Sequence, residues 1–324
     1  MNAVFMAPAD PGWPAFLEGV PHDFYHTPEY TAMAAAREGG EAAALRIGDS
    51  LLAPMLIQPL PGGRRDARTA YGYPSPLLRG TSDPQAFREA LRAAGIVSYF
   101  SRVHPLLPPP ELGADELVEN GENVIVDLTR DLWAQTRSGH RSDINRLRRS
   151  GFTVVDGRDR LPEFVEIYSA AMTRLGAAPI FRFGLEYFAT LLRLLDRAVV
   201  LLIVRSPQDE VAAAALFSAW GEHSQYLFAA TRHGSRRGAP SKMALYEGLT
   251  WARSRGALRM NLGGGTGSRD DSLFRFKCGF SDQRAPSRTI RMILDVGAYR
   301  ELSRGVDPGG YFPAYRAGTL RGGR

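Results

Sequence analysis

The sequence predicts an α/β protein of mixed, α+β character, made of two subdomains that each set a mixed central sheet against flanking helices. Three observations carry this expectation. A chain of 324 residues with 44% hydrophobic content can bury a substantial core and is longer than one ordinary domain. Short apolar runs bounded by Gly, Asp, Ser and Pro alternate with stretches of helical spacing. The alternation runs through the chain twice, at greater length the second time.

In the first half, Trp13, Phe16 and Leu17 mark a short amphipathic helix, and a second helix runs from Pro28 to Arg37. Ala43 to Ile47 and Leu51 to Gln58 are short apolar runs separated by Gly48, Asp49 and Ser50, which is hairpin turn chemistry. Gln85 to Ala94 has helical spacing, Val97 to Val103 has strand character, and the proline-rich segment Leu106 to Glu111 reads as a linker. The second half opens with a strand at Asn123 to Leu128, a long helix reaching Ser150, and a strand at Phe152 to Val155. Helices follow at Pro162 to Leu175 and Leu185 to Leu195. A three-strand meander comes next, Val199 to Val204, Val211 to Trp220 and Ser224 to Ala230, with turns at Pro207 to Asp209 and Gly221. A helix from Pro240 to Arg255 and a strand from Leu258 to Leu262 complete this half. The subdomains are therefore expected at 1–121 and 122–295, with 296–324 packing back on the first.

Composition removes several function classes. Cys278 is the only cysteine, so it supports neither an internal disulfide nor a thiol redox pair, and a reducing compartment fits. The six histidines lack metal-ligand spacing, so no metal site is expected. Met1 to Phe16 lacks the basic and apolar regions of a signal peptide. The longest apolar runs fall short of the ~20 residues a membrane span needs. A soluble, cytoplasmic protein is expected. The net charge of +6 and pI near 9.6 favour an anionic partner, although such an excess can serve solubility alone. Only Lys242 and Lys277 are lysines, so the other 38 of the 40 basic residues are arginines. Drift toward arginine explains this simply. It also marks the two lysines as positions where a compact ammonium is wanted and a guanidinium fork does not fit.

The run Asn261-Leu262-Gly263-Gly264-Gly265, followed by Asp271-Ser272-Leu273-Phe274-Arg275-Phe276-Lys277-Cys278-Gly279-Phe280, closely resembles the Fem-type (FemABX-like) aminoacyltransferases and their GNAT-like relatives. Tyr71-Gly72-Tyr73-Pro74-Ser75-Pro76, the basic helix at Arg141 to Gly151 and Tyr226-Leu227-Phe228-Ala229-Ala230-Thr231 follow in the family's order, so the resemblance covers nearly the whole chain. It implies two tandem GNAT-like subdomains. The helical coiled-coil arm of some members is not expected, because no long heptad segment is present. The matching Phe-Lys pair, functionally important in the family, falls at Phe276 and Lys277. The resemblance also implies acceptor contacts at Tyr71, Tyr73, Arg174 and Tyr226, where core packing is the alternative.

An aminoacyl ester is already activated and an acceptor amine is partly neutral at physiological pH, so a strong base is optional. The tetrahedral oxyanion can be met by a positioned cation or a backbone donor, and Lys277 is the candidate; the alternative is a surface lysine on a short helix capped by Asp270 or Asp271. The glycines, Gly264 among them, let a substrate approach the backbone or simply make a sharp turn. Cys278 is expected to be a packed residue, since no Cys-His constellation accompanies it.

Basic segments point to tRNA. Arg137, Arg141 and Arg148 fall in a narrow helical arc beside Trp133, Ile144 and Leu147, with Arg149 further round, and a second cluster holds Arg236, Arg237 and Lys242. Solvated helix faces explain many such runs. A CoA-dependent GNAT cradles pyrophosphate in an Arg/Gln-x-x-Gly-x-Gly/Ala loop. Here Arg236-Arg237-Gly238-Ala239-Pro240-Ser241 departs from that pattern, and Pro240 removes a donor. The expectation is therefore an aminoacyl-tRNA-dependent transferase with no other cofactor. The alternatives are an acyl-CoA-dependent N-acyltransferase and a non-catalytic tRNA- or peptide-binding relic. Family members acting on cell-wall precursors tend to have a lysine four positions after an aromatic in the first helix. Counting from Tyr30, this chain has Ala34, which favours a small peptide or natural-product acceptor.

Overall fold

The computed structural model describes residues 2–81 and 83–317, with the side chains at 236, 237 and 268 outside the description. The chain divides into two compact units, Met1–Asn120 with Ser287–Arg324, and Gly121–Pro286.

In the first unit, β1 (Ala3–Met6) is followed by α1 (Gly12–Leu17) and α2 (Pro28–Glu38). Thr27 caps α2 by accepting the Tyr30 N–H at 3.2 Å, and Pro28 occupies the first turn, where its missing N–H costs nothing. β2 (Glu41–Ile47) and β3 (Leu51–Pro59) form the expected hairpin, with Ile47 opposite Leu51. β3 is buried at every position except its last, which explains an apolar run that does not alternate. β4 (Arg65–Arg68) and β5 (Leu77–Leu78) pair with β3, and α3 (Pro84–Ala93) leads to β6 (Ile96–Arg102). Leu106 and Leu107 are buried, so the proline-rich segment belongs to this unit and is not its boundary.

β7 (Glu116–Asp127) carries the chain into the second unit, where α4 (Leu132–Gln135) and α5 (Ser138–Arg149) replace the single long helix expected to reach Ser150. The break falls at Thr136 and Arg137, whose backbones are extended. The Thr136 hydroxyl donates back to Leu132 O at 2.8 Å, and the Arg137 N–H leaves the helix for Gly279 O at 2.7 Å. Arg137 therefore does not share a continuous helical arc with Arg141 and Arg148. The order continues through β8 (Thr153–Asp156), α6 (Leu161–Arg174), α7 (Leu185–Leu195), β9 (Val199–Arg205), β10 (Val211–Trp220) and β11 (His223–Thr231). α8 (Pro240–Ser254), β12 (Arg259–Gly263) and α9 (Ser272–Lys277) complete the unit. The chain then returns to the first unit with β13 (Gln283–Ile293), antiparallel to β6 over Thr289–Ile293, and α10 (Val296–Leu302). Arg316 closes on Asp66 of β4 through two contacts of 2.6 Å.

The two units repeat one topology. Their strand orders are β1-β2-β3-β4-β6-β13 and β8-β9-β10-β11-β12-β7. In each, the first four strands pair antiparallel, the fifth lies parallel to the fourth, and the sixth is antiparallel to the fifth. In each, two helices join the first strand to the second, and one helix stands before the fifth. Separate cores sit on the sheets, one around Leu45, Phe87, Leu91 and Tyr99, the other around Phe217, Leu245, Leu249 and Phe280. Among the described residues the longest helix is α8, at 15 residues, too short for a coiled-coil arm. None is long and apolar enough to cross a membrane.

Candidate active site

β11 and β12 run parallel for only three residue pairs, ending at Gln225 and Asn261, where Asn261 Nδ2 donates to Gln225 Oε1 at 2.9 Å. Beyond that bridge the ladder stops. β12 bulges against β7 between Asn261 and Gly263, and the Gly263 N–H donates to Asn261 Oδ1 at 2.8 Å. The carboxyl ends of parallel strands are where α/β sheets commonly place ligands, because diverging strands leave a crevice. Gly263 has φ +75°, and a Cβ there would lie 3.3 Å from Lys277 Nζ, so its backbone and its neighbour both call for glycine.

α9 brings Lys277 to this crevice. Asp271 starts the helix by accepting the Phe274 N–H at 2.9 Å and also holds the Thr266 N–H at 2.9 Å. Desolvation opposes its ionisation, but these backbone donors outweigh it and hold the carboxyl down to about 2. At the other end of the helix Lys277 is 7% exposed, so it is not a surface lysine. Its Nζ donates to Gly264 O at 2.6 Å and lies 5.9 Å from the centre of the Tyr226 ring. Burial lowers the ammonium to about 8, with the more distant Asp271 charge opposing that shift. Among the described residues Gly264 O is its one hydrogen-bond acceptor, which leaves two of the three N–H donors uncommitted. Burial likewise pushes the Tyr226 phenol above its usual range, so it stays neutral.

The structure thus brings together Lys277, Gly264 and Tyr226, with the Phe276 ring packed between His140 and Phe280 at 5.7 Å from each. Arg174 is exposed in the last turn of α6. Tyr71 and Tyr73 belong to the first unit. There the Tyr71 N–H donates to Glu38 Oε1 at 2.9 Å, its carbonyl accepts from Tyr30, and burial pushes its phenol up to about 12. Tyr73 packs edge-on to Tyr25 and His104.

The basic residues divide by their partners. Arg148 pairs with Glu247 at 2.8 Å and lies over Trp133 and Tyr246; Arg141 donates to Trp133 O; and Lys242 is held by Asp143 at 2.5 Å. Arg149 and the Arg137 side chain are exposed. The side chains of Arg236 and Arg237 lie outside the described residues. Two polar residues, Gln225 beside the crevice and His140 behind α9, were not anticipated as such. Gln225 is a buried polar side chain inside an apolar strand, a signal the sequence does carry. His140, a lone histidine far along the chain from the motif, offers none.

Residues 134–277 match the family model described as Acetyltransferase (GNAT) domain. This stretch of the chain is similar to a GNAT domain. The match begins in α4 and ends on Lys277, inside the second unit. Among solved structures, the chain is similar to FemX at 15% identity, covering 93% of this chain and 99% of that one with a TM-score of 0.72. It is also similar to L-PGS from Bacillus licheniformis, at 16% identity, 88% and 92% coverage and a TM-score of 0.60. A third is the C-terminal domain (DUF2156) of a putative lysylphosphatidylglycerol synthetase from Agrobacterium fabrum, at 17% identity, 80% and 85% coverage and a TM-score of 0.54. No curated protein matches. The fold these structures share with the chain is the one its motif resemblance implied, with the match to the GNAT model in the second of two like units.

Proposed function

We propose that the protein transfers an aminoacyl group from charged tRNA to the amine of a small peptide, natural-product or cell-wall precursor, with no further cofactor. One observation carries this reading: a buried ammonium, with two N–H donors uncommitted among the described residues, stands where β11 and β12 part. The acceptor amine, as its free base, attacks the aminoacyl ester carbonyl. A C–N bond forms, and the carbonyl oxygen becomes an oxyanion. Lys277 donates to that oxyanion in a desolvated setting, where a charged donor is worth more than in water. Collapse restores the carbonyl and expels the ribose oxygen of the tRNA, which takes up the proton that the attacking nitrogen loses as it becomes an amide. The FemX-like fold supports the reading, as does the similarity to a protein named for lysylphosphatidylglycerol synthesis, itself an aminoacyl transfer. The loop entering α8 speaks against a CoA pyrophosphate, because Ala239 is left-handed at φ 55° and Pro240 offers no N–H.

The purified protein incubated with total charged tRNA and a panel of amines should give amide products. RNase should abolish them, and omitting CoA thioesters should not. The match to the acetyltransferase domain favours a second reading, acyl-CoA-dependent N-acylation. Robust turnover with acetyl-CoA alone would establish that reading and overturn the first.

A further inference from the structure

α9 is only six residues long, yet it must hold a buried ammonium within ångströms of its place. Its first end is fixed by Asp271. Its last turn is fixed from outside, by α5. The His140 side chain lies in the first turn of α5 with Nε2 3.0 Å from Phe276 O; since a carbonyl only accepts, Nε2 carries the proton and donates. The same carbonyl accepts the Gly279 N–H at 3.1 Å, closing the end of α9. The Arg137 N–H meets Gly279 O at 2.7 Å, beside the imidazole. The ring packs against Phe276 and Phe280 with centroids 5.7 and 4.9 Å away. It sits so close to Gly279 that a Cβ there would fall 2.1 Å from Nε2. Side chain and glycine fit as a pair across 139 positions of sequence.

We infer that His140 is a positioning residue for Lys277: its Nε2–H fixes the peptide plane between Phe276 and Lys277 and thereby aims the ammonium at the crevice. The inference rests on the acyl-transfer role given to Lys277 above. The imidazole is suited to the task because it stays neutral. Burial lowers its affinity for a proton, the Phe276 carbonyl works the other way, and Lys242 and Arg137 add to the lowering against Asp143. A neutral ring brings one N–H to the carbonyl and adds no second positive charge to the neighbourhood of Lys277.

The chain's two lysines make a direct test possible. In the protein labelled at lysine Cε and Nζ, NMR gives two side-chain signals, and the one missing from Lys277→Met is that of Lys277. His140→Phe keeps the aromatic packing and removes the donor. It should raise the Lys277 midpoint by a unit or more toward the free-lysine value, because the amine leaves its desolvated seat. His140→Gln, whose Nε2 reaches a similar position, should keep the wild-type midpoint. Gly279→Ala, which displaces the ring without altering it, should behave like His140→Phe. In turnover with charged tRNA, His140→Phe should lower kcat roughly tenfold or more at unchanged donor KM, and should have no added effect on a Lys277→Met background. An unchanged midpoint in His140→Phe overturns the inference, as does an equal kcat loss on the Lys277→Met background. If wild-type protein gives no aminoacyl product, the proposed function fails while the titration still decides whether His140 seats Lys277. If product forms and the midpoint is unmoved, the function stands and the inference falls.

Discussion

Lys277 is charged at neutral pH in a place that disfavours charge. One pKa unit is about 1.4 kcal/mol, so lowering the ammonium to about 8 means the folded state carries an unfavourable charge whenever both folded and unfolded lysines are protonated. The cost is complete below pH 8, shrinks as the folded amine deprotonates, and is gone above the free-lysine value near 10.5. Lys277→Met should therefore raise stability by roughly 1–3 kcal/mol at pH 7, with the gain fading between pH 8 and 10.5 in urea melts. The same variant should lose roughly 100- to 1000-fold in kcat, the usual loss for one oxyanion donor. Lys277→Arg should also be poor, because the guanidinium fork is larger than an ammonium seated 3.3 Å from the Cβ position of Gly263. Wild-type kcat in Lys277→Arg would remove both the oxyanion role and the argument from lysine scarcity. A second buried base marks the first unit. His26 is fully buried, lowered to about 3 by desolvation and by His104, against the pull of Asp23. The unfolded histidine takes a proton near pH 6.5 and the folded one does not, so stability falls with pH between those values, by about 1.4 kcal/mol per unit. His26→Phe should flatten that acid limb in denaturant melts at pH 7 and 5; equal slopes would mean the ring is not buried neutral.

At the scale of elements, charge on a helix must be sorted by what each side chain touches. Arg148 joins α5 to α8 through Glu247 and covers Trp133 and Tyr246, so Arg148→Ala should lower stability by about 1 kcal/mol and leave the salt dependence of tRNA binding unchanged. Arg149, exposed one position on, should do the reverse. Its replacement by alanine should reduce the slope of log K against log salt by about one, if α5 lies on phosphate. An unchanged slope would make this face of α5 a solvated one. The sequence could not separate the two, because adjacent arginines look alike until partners 99 residues away are known. Where elements bury apolar surface, they were legible: the meander β9 to β11 and helices α6 to α8 fall within a residue or two of their expected bounds. β4, with the sequence Arg-Asp-Ala-Arg, and β13, with three arginines and a proline among the expected strand breakers and charges, were not. Those strands exist because a neighbour offers them a ladder, which local composition does not encode. The short break between α4 and α5 was hidden for a similar reason, since it serves a contact with Gly279. Lys277 and Gly264 were legible because their motif is contiguous; His140 was not, because its partner is a backbone carbonyl remote in sequence.

For the whole molecule, the repeated topology has one asymmetry. The second unit is continuous in sequence, whereas the first is completed only when the chain comes back after residue 286. That return brings β13 to β6 and Arg316 to Asp66, a carboxylate whose side chain is 4% exposed and whose two oxygens both receive the guanidinium. Tyr315 bridges the same carboxylate and Ser98 of β6. A paired buried carboxylate is tolerable, but one left without its partner is costly, because it must then be desolvated alone. Arg316→Met should therefore destabilise the first unit by about 3 kcal/mol, and adding Asp66→Asn should restore part of that loss by removing the stranded charge. Hydrogen exchange locates the effect. Amides of β4, β6 and β13 should lose protection in Arg316→Met, while those of β9, β10 and β11 keep theirs, since units with separate cores can open separately. Equal loss in both sets would show that the units unfold as one body, and failure of Asp66→Asn to rescue would show that Arg316 acts by packing and not by pairing with Asp66.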